Sequence, residues 1–229
     1  MTETAGAERP TLAGAYKALR AAIKERGLYD RRYWFYGAYA ALILAGIGIS
    51  MTVLFLSDSI LIQFLNSLFL AVVLVQAGML AHDLSHLQVF KTHQANRFFG
   101  TVVWGLLAGI SESKWYEKHN AHHTHVNHVG LDPDLDIPFM FSADQVEGRS
   151  WIERKLILPY QHILFWLALP FVYLNIVRYS ITYLILKPTP AHLGELALIL
   201  LHFSWALVLP LMVLPTGAAL VFFFTHALL

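Results

Sequence analysis

The feature that most constrains this chain is a pair of long apolar runs without a single charged residue. They are Tyr33 to Leu56 and Ile60 to Ala81, separated only by Ser57-Asp58-Ser59. An α-helix needs roughly 20 apolar residues to cross a hydrocarbon core of about 30 Å, and both runs are that long. Two buried helices of a large soluble core are the competing reading, but uncharged apolar runs of this length are rare there. The pattern therefore predicts a tight transmembrane hairpin. Composition agrees: 57% of the residues are apolar and 14% charged, against about 25% charged in an ordinary soluble domain. An aromatic share of 14% with so few charges is the reverse of a disordered composition. The absence of cysteine excludes a disulfide scaffold, a cysteine zinc finger and a thiol catalyst. A net charge of +1 argues against a nucleic-acid partner.

Residues 1–32 are polar, with a helical patch around Leu12 to Ala22, and show no signal-peptide pattern. Phe98 to Ile110 is apolar but short, which suits a re-entrant or interfacial segment. Ser111 to Lys155 is polar, with Asp132-Pro133-Asp134 and Ile137-Pro138 as turn signals. Leu156 to Leu186 is long, but Arg178 and other polar residues interrupt it and Pro159 and Pro170 break it, so it is expected along the membrane interface. Leu193 to Leu214 is of spanning length, and Ala218 to Leu229 is apolar and shorter. Seven basic residues precede the first run (Arg9, Lys17, Arg20, Lys24, Arg26, Arg31, Arg32), and Lys91, Arg97, Lys114 and Lys118 follow the second. The Ser57–Ser59 turn has none, so the N-terminus and residues 82–155 are expected to face the cytoplasm. The expected fold class is an all-α, polytopic membrane protein whose transmembrane helical hairpins carry a cytoplasmic metal-binding cap.

Twelve histidines are many for so greasy a chain, and five of them cluster. His82 and His86 stand at i, i+4, one turn apart on one helix face. His119, His122 and His123 follow in the polar region; His122 and His123 differ by about 100° around a helix axis, so they can fork toward two metal ions with His119 between them. Surface histidines capping loops would account for one such pair, but not for two clusters just outside the membrane on one side. Imidazole suits zinc, copper, iron and nickel. The HExxH of a zinc hydrolase is absent, as is the Glu-x-x-His of soluble di-iron carboxylate enzymes. An all-histidine, two-iron, oxygen-activating centre fits better.

The runs His82-Asp83-Leu84-Ser85-His86 and His119-Asn120-Ala121-His122-His123 resemble the first two histidine boxes of membrane fatty acid desaturases. Trp115, His125, Asn127, Asp132-Pro133-Asp134 and Tyr160-Gln161-His162 extend the resemblance, which is nearest to the acyl-lipid or acyl-CoA, linoleoyl-CoA desaturase-like branch. The resemblance implies that His82, His86, His119, His122 and His123 are catalytic ligands of two non-haem Fe ions. It implies O2-dependent desaturation of a fatty acyl chain, with electrons from an external donor of the ferredoxin, rubredoxin or cytochrome b5 type. It divides the chain into a cytoplasmic N-terminal segment, 1–32, and a desaturase domain, 33–229. A hydroxylase or ketolase of the same superfamily is the alternative within this chemistry.

The chain departs from the family pattern in one respect. No third box of the form [H/Q]xxHH follows His128; His162, His192, His202 and His226 are isolated. The expectation is a C-terminally truncated desaturase whose 229 residues alone do not hold a stable two-iron site, with a naturally short paralogue as the rival and an inactive remnant as the non-catalytic alternative. Other residues carry weaker expectations. His125 and Asn127 are either solvated or supports for the ligands, and Asp83 is expected to find a polar partner in another loop. Asp132, Asp134 and Asp136 read as an acidic turn, His93 as a surface residue, and Trp104 and Trp115 as tunnel-lining or interfacial.

Overall fold

The computed structural model describes residues 11–135, 141–142 and 145–229; Arg9, Asp136, Ile137 and Pro138 lie outside these. Every regular element among the described residues is helical. A lone amphipathic helix, α1 (Leu12–Glu25), is followed by α2 (Tyr33–Leu56) and α3 (Ile60–Ser85). The turn between α2 and α3 is held from inside. The fully buried Gln63 donates through Nε2 to the Ser57 and Val53 carbonyls at 2.6 and 3.2 Å, satisfying the orphan end of α2. Asn66 Nδ2 reaches the Ser50 carbonyl at 3.0 Å. In lipid, where no water serves these groups, such bonds tie the two helices together. Gly46 allows their close approach: a Cβ there would stand 2.7 Å from Val73 Cγ2.

The short apolar stretch forms α4 (His93–Val102) and continues as a π-turn, Val103–Leu107. The loop before it is pinned by buried Asn96, which accepts from the Val89 and Phe90 N–H groups and donates to the Phe90 and Thr92 carbonyls. Then come α5 (Glu112–Thr124), α6 (Gln161–Ala168), α7 (Val172–Leu186), α8 (Pro190–Phe203), α9 (Leu209–Val213) and α10 (Thr216–Leu228). One core lies between the hairpin and α10, with Leu54, Leu70, Ala219 and Phe222 at its centre. A second joins α2 and α3 nearer the histidine end of the hairpin through Ile43, Ala77, Leu80 and Leu84. Glu195 of α8 ties that helix to α5. Its carboxylate accepts from Ser111 Oγ at 2.6 Å, from the Ser113 N–H at 3.2 Å and from Ser113 Oγ.

Four helical runs are long and apolar enough to cross a membrane: Tyr33–Leu56, Ile60–Ser85, Glu153–Leu186 and Pro190–Val213. Their outward faces leave Leu42, Ile49, Leu61, Val72 and Leu200 more than half exposed, a surface that suits lipid and that soluble monomers avoid. Glu153–Leu186, expected as a proline-broken stretch along the interface, is helical throughout. It is one run of 34 residues, because Pro159 and Pro170 fall in 3₁₀ turns, Leu158–Tyr160 and Leu169–Phe171, that join helices instead of ending them.

Candidate metal centre

The C-terminal end of α3 presents His82 in its last turn and His86 at its cap. α5 brings the second cluster to the same place. Its start is set by Ser111, which accepts from the Lys114 N–H at 3.1 Å while donating to Glu195, so α5 begins at a fixed point against α8. Two turns later His119 meets the end of α3. Its Nε2 lies 3.0 Å from His86 Nε2 and 2.9 Å from His123 Nε2. One ring nitrogen from each of His82, His86 and His119 falls within 4.8 Å of the others. The His86 and His123 rings stand 5.0 Å apart. Four imidazoles from two helices thus converge.

His122 diverges from its neighbour. Its Nδ1 is 2.9 Å from Asp132 Oδ1 and 3.3 Å from Asp134 Oδ2. Asp132 is buried and also accepts the Asn127 N–H at 2.8 Å and the Asp134 N–H at 2.9 Å. Asn127 aims its N–H there from a left-handed backbone, φ 60°, which asparagine tolerates. Burial works against a charge on Asp132. The His122 bond and the two backbone donors outweigh it and hold the carboxyl down at about 2. An acceptor ionised at neutral pH favours the His122 tautomer with its proton on Nδ1, which turns the Nε2 lone pair outward. His122, Asp132 and Asp134 also form a group compact enough for an ion. Because Asp132 already has three donors, an orienting role for it is the stronger reading.

The donor set fits a metal on three counts. Two ligands about 2.1 Å from an ion and at right angles stand about 3.0 Å apart, the separation found along His86, His119 and His123. Burial, then the neighbouring histidines, push His119 down to about 4. Burial and His82 and His123 also lower His86, against Asp83. Both rings are therefore neutral at pH 7, the form that binds metal. Finally, His82 Nδ1 is buried without a hydrogen-bond partner, Asp83 Oδ1 standing off at 3.7 Å.

The surroundings refine several expectations. Asp83 finds its partner on a helix: it accepts from Tyr36 Oη of α2 at 3.0 Å. Trp115 stacks on His119, ring centres 4.2 Å apart, and packs on Trp104 at 4.8 Å. Trp104 Nε1 donates to Ser85 Oγ at 3.1 Å. Both indoles therefore brace the histidine cluster. His93 is exposed at the first turn of α4, and His125 caps α5 through its backbone. His202 and His226 are buried among the apolar helices, bonded to the Leu106 and Phe222 carbonyls respectively, and remain apart from the five. The orienting role of Asp132 is not evident from the sequence; its one signal there is an Asp-Pro-Asp turn ten residues beyond His122.

Comparison with known proteins points the same way. The chain is 34% identical over 145 residues to a Delta(8)-fatty-acid desaturase of Euglena gracilis, covering 62% of this chain and 34% of that one. It is 30% identical over 171 residues to the Delta(5) fatty acid desaturase fat-4 of Caenorhabditis elegans, covering 69% and 38%. An acyl-lipid (9-3)-desaturase of Borago officinalis is 27% identical over 184 residues, covering 75% and 41%. The matches thus span about 34–41% of the length of these relatives. No solved structure matches. The family model described as fatty acid desaturase matches residues 59–229. That stretch takes in both histidine clusters and every helix from α3 onward, and the chain belongs to the fatty acid desaturase family.

Proposed function

We propose that this chain serves the O2-dependent desaturation of a fatty acyl chain, carried as a lipid or a CoA ester, at a di-iron centre to which His82, His86, His119, His122 and His123 contribute ligands. The observation that carries the proposal is the convergence of His82, His86, His119 and His123 at the end of a hairpin long enough to cross a membrane. A methylene C–H offers no acid or base handle, so its removal needs redox chemistry that side chains lack. The chemistry that two bound irons supply is the activation of dioxygen. One acyl –CH2–CH2– unit, one O2, two electrons and two protons become –CH=CH– and two waters. The electrons come from a separate ferredoxin, rubredoxin or cytochrome b5-type donor.

The chain's own groups prepare that site. The neutral rings of His86 and His119 offer lone pairs at neutral pH. Asp132 holds the tautomer of His122, and Trp115 restrains the plane of His119. The apolar helices keep an acyl tail out of water while the polar ligands stay at their edge. Residues 1–32 and the histidine clusters lie on the cytoplasmic side in this proposal, in keeping with the basic residues before α2 and after α3, and residues 33–229 are desaturase domain.

The test is expression of the gene encoding this chain in a desaturase-deficient host, with its fatty acid methyl esters profiled. New double bonds that vanish with His119→Ala support the proposal. Hydroxylated products in their place, or an unchanged profile from a membrane-inserted protein, overturn it.

A further inference from the structure

α1 is a helix with nothing to pack against among the described residues. Its 14 residues include none that is buried, and a helix this short is marginal alone in water. Its residue order is nevertheless strongly sorted. At 100° per residue, Leu12, Tyr16, Leu19 and Ile23 fall within roughly 60° of arc, and Lys17, Arg20 and Lys24 fill the adjoining 60° or so. Leu12 is 89% exposed, Tyr16 61% and Leu19 58%. An apolar stripe with one basic flank is the pattern of a helix lying in a membrane surface.

The chain keeps α1 close to the start of α2. The helix closes in a Schellman turn, the Leu28 N–H bonding the Ile23 carbonyl and the Gly27 N–H the Lys24 carbonyl, with Gly27 at φ +63°. The linker 26–32 spans at most about 25 Å when fully extended. It is further tethered by Arg31 Nη1, which donates to the Gln88 carbonyl at 2.7 Å, at the histidine end of the hairpin. Tyr33 and Trp34, 46% and 92% exposed, begin α2 as an aromatic belt residue would. Between Leu12 and Arg32 there are six basic residues against two acidic ones, which selects anionic lipid.

We propose that α1 is an interfacial helix seated on the anionic leaflet of the membrane that α2 enters, its Leu12–Ile23 stripe at the acyl boundary and its Lys17–Lys24 flank against lipid phosphates. The apolar belt of the hairpin continues onto it, so the same bilayer covers both.

The chain has no cysteine, so one introduced residue is labelled uniquely. Leu19→Cys, on the stripe, and Ala21→Cys, on the opposite face, each carry a nitroxide in the full chain reconstituted in nanodiscs. Collision with lipid-soluble oxygen and with a water-soluble nickel chelate reads each label's surroundings. In phosphatidylglycerol-containing discs the label at 19 should meet oxygen and be shielded from nickel, and the label at 21 should show the reverse. Phosphatidylcholine discs, or the triple change Lys17→Gln, Arg20→Gln and Lys24→Gln, should return the label at 19 toward water, by about fivefold per charge removed in the bound-to-free ratio. No residue of α1 is buried, so these changes spare the rest of the fold. Three results overturn the proposal: a label at 19 that stays aqueous in anionic discs, shielding that ignores lipid charge, or shielding that arises only when a soluble electron-donor protein is added.

Discussion

Replacing Glu112 by glutamine should change how the protein's stability depends on pH. Glu112 opens α5, and its side chain is fully buried. Arg97 Nη2 approaches Oε2 at 3.0 Å, yet neither oxygen receives a well-directed hydrogen bond. Burial pushes the carboxyl up from 4.5 to about 7; the Arg97 guanidinium opposes this and the Glu195 carboxylate adds to it. Burial thus prevails over the ion pair. Below pH 4.5 the folded and unfolded chains both hold the proton. Between pH 4.5 and about 7 the unfolded chain releases it and the folded chain keeps it, so stability falls as pH rises through this window and levels off above it. A shift of about 2.5 units at 1.36 kcal/mol each is about 3 kcal/mol. A glutamine side chain resembles the protonated acid in shape and does not titrate. Thermal unfolding followed by tryptophan fluorescence in detergent, at about pH 4.5 and about pH 8, should show Glu112→Gln gaining about 6–12 °C on the wild type across that range. Parallel profiles for the two proteins, or a wild type that gains on the variant, would refute the reasoning.

Asp132→Asn should loosen His122 without emptying the histidine cluster. Metal affinity measured by Co(II) titration should fall about 10–100-fold, the usual effect of losing a carboxylate behind a ligand histidine. Phe222→Ala, at a fully buried site between α3 and α10, should lower stability by about 3–5 kcal/mol, seen as a lower unfolding midpoint, while the Co(II) spectrum keeps its wild-type form.

Much of this architecture is legible in the sequence because lipid imposes a crude rule. The uncharged runs of α2 and α3 admit few other structures, and the i, i+4 spacing of His82 and His86 sets a shared face before any packing is known. What escapes depends on contacts far apart along the chain. Glu195 meets Ser111 and Ser113 across more than 80 residues, and Tyr36 reaches Asp83 across the hairpin. Nothing local announces either pair. Gln63 and Asn66 look like blemishes in an apolar span and instead hold the hairpin turn. Asp132 reads as part of a solvated turn, since a turn signal says where the chain reverses and not which side chain folds back beneath a histidine. Pro159 and Pro170 do interrupt the α-helical hydrogen bonding, but the chain passes each in a 3₁₀ turn and continues as helix, which the sequence does not announce.

The central claim is that the histidines of α3 and α5 form one metal centre, with His119 shared between His86 and His123. Anaerobic Co(II) titration of the purified chain, read by visible absorption and by metal-edge X-ray absorption, tests this directly, with His119→Ala and the exposed His93→Ala beside the wild type. Saturable binding with imidazole scattering is expected in the wild type and in His93→Ala, and affinity at least about tenfold weaker in His119→Ala. Equal binding by His119→Ala and the wild type, or a metal spectrum without imidazole, would contradict that claim.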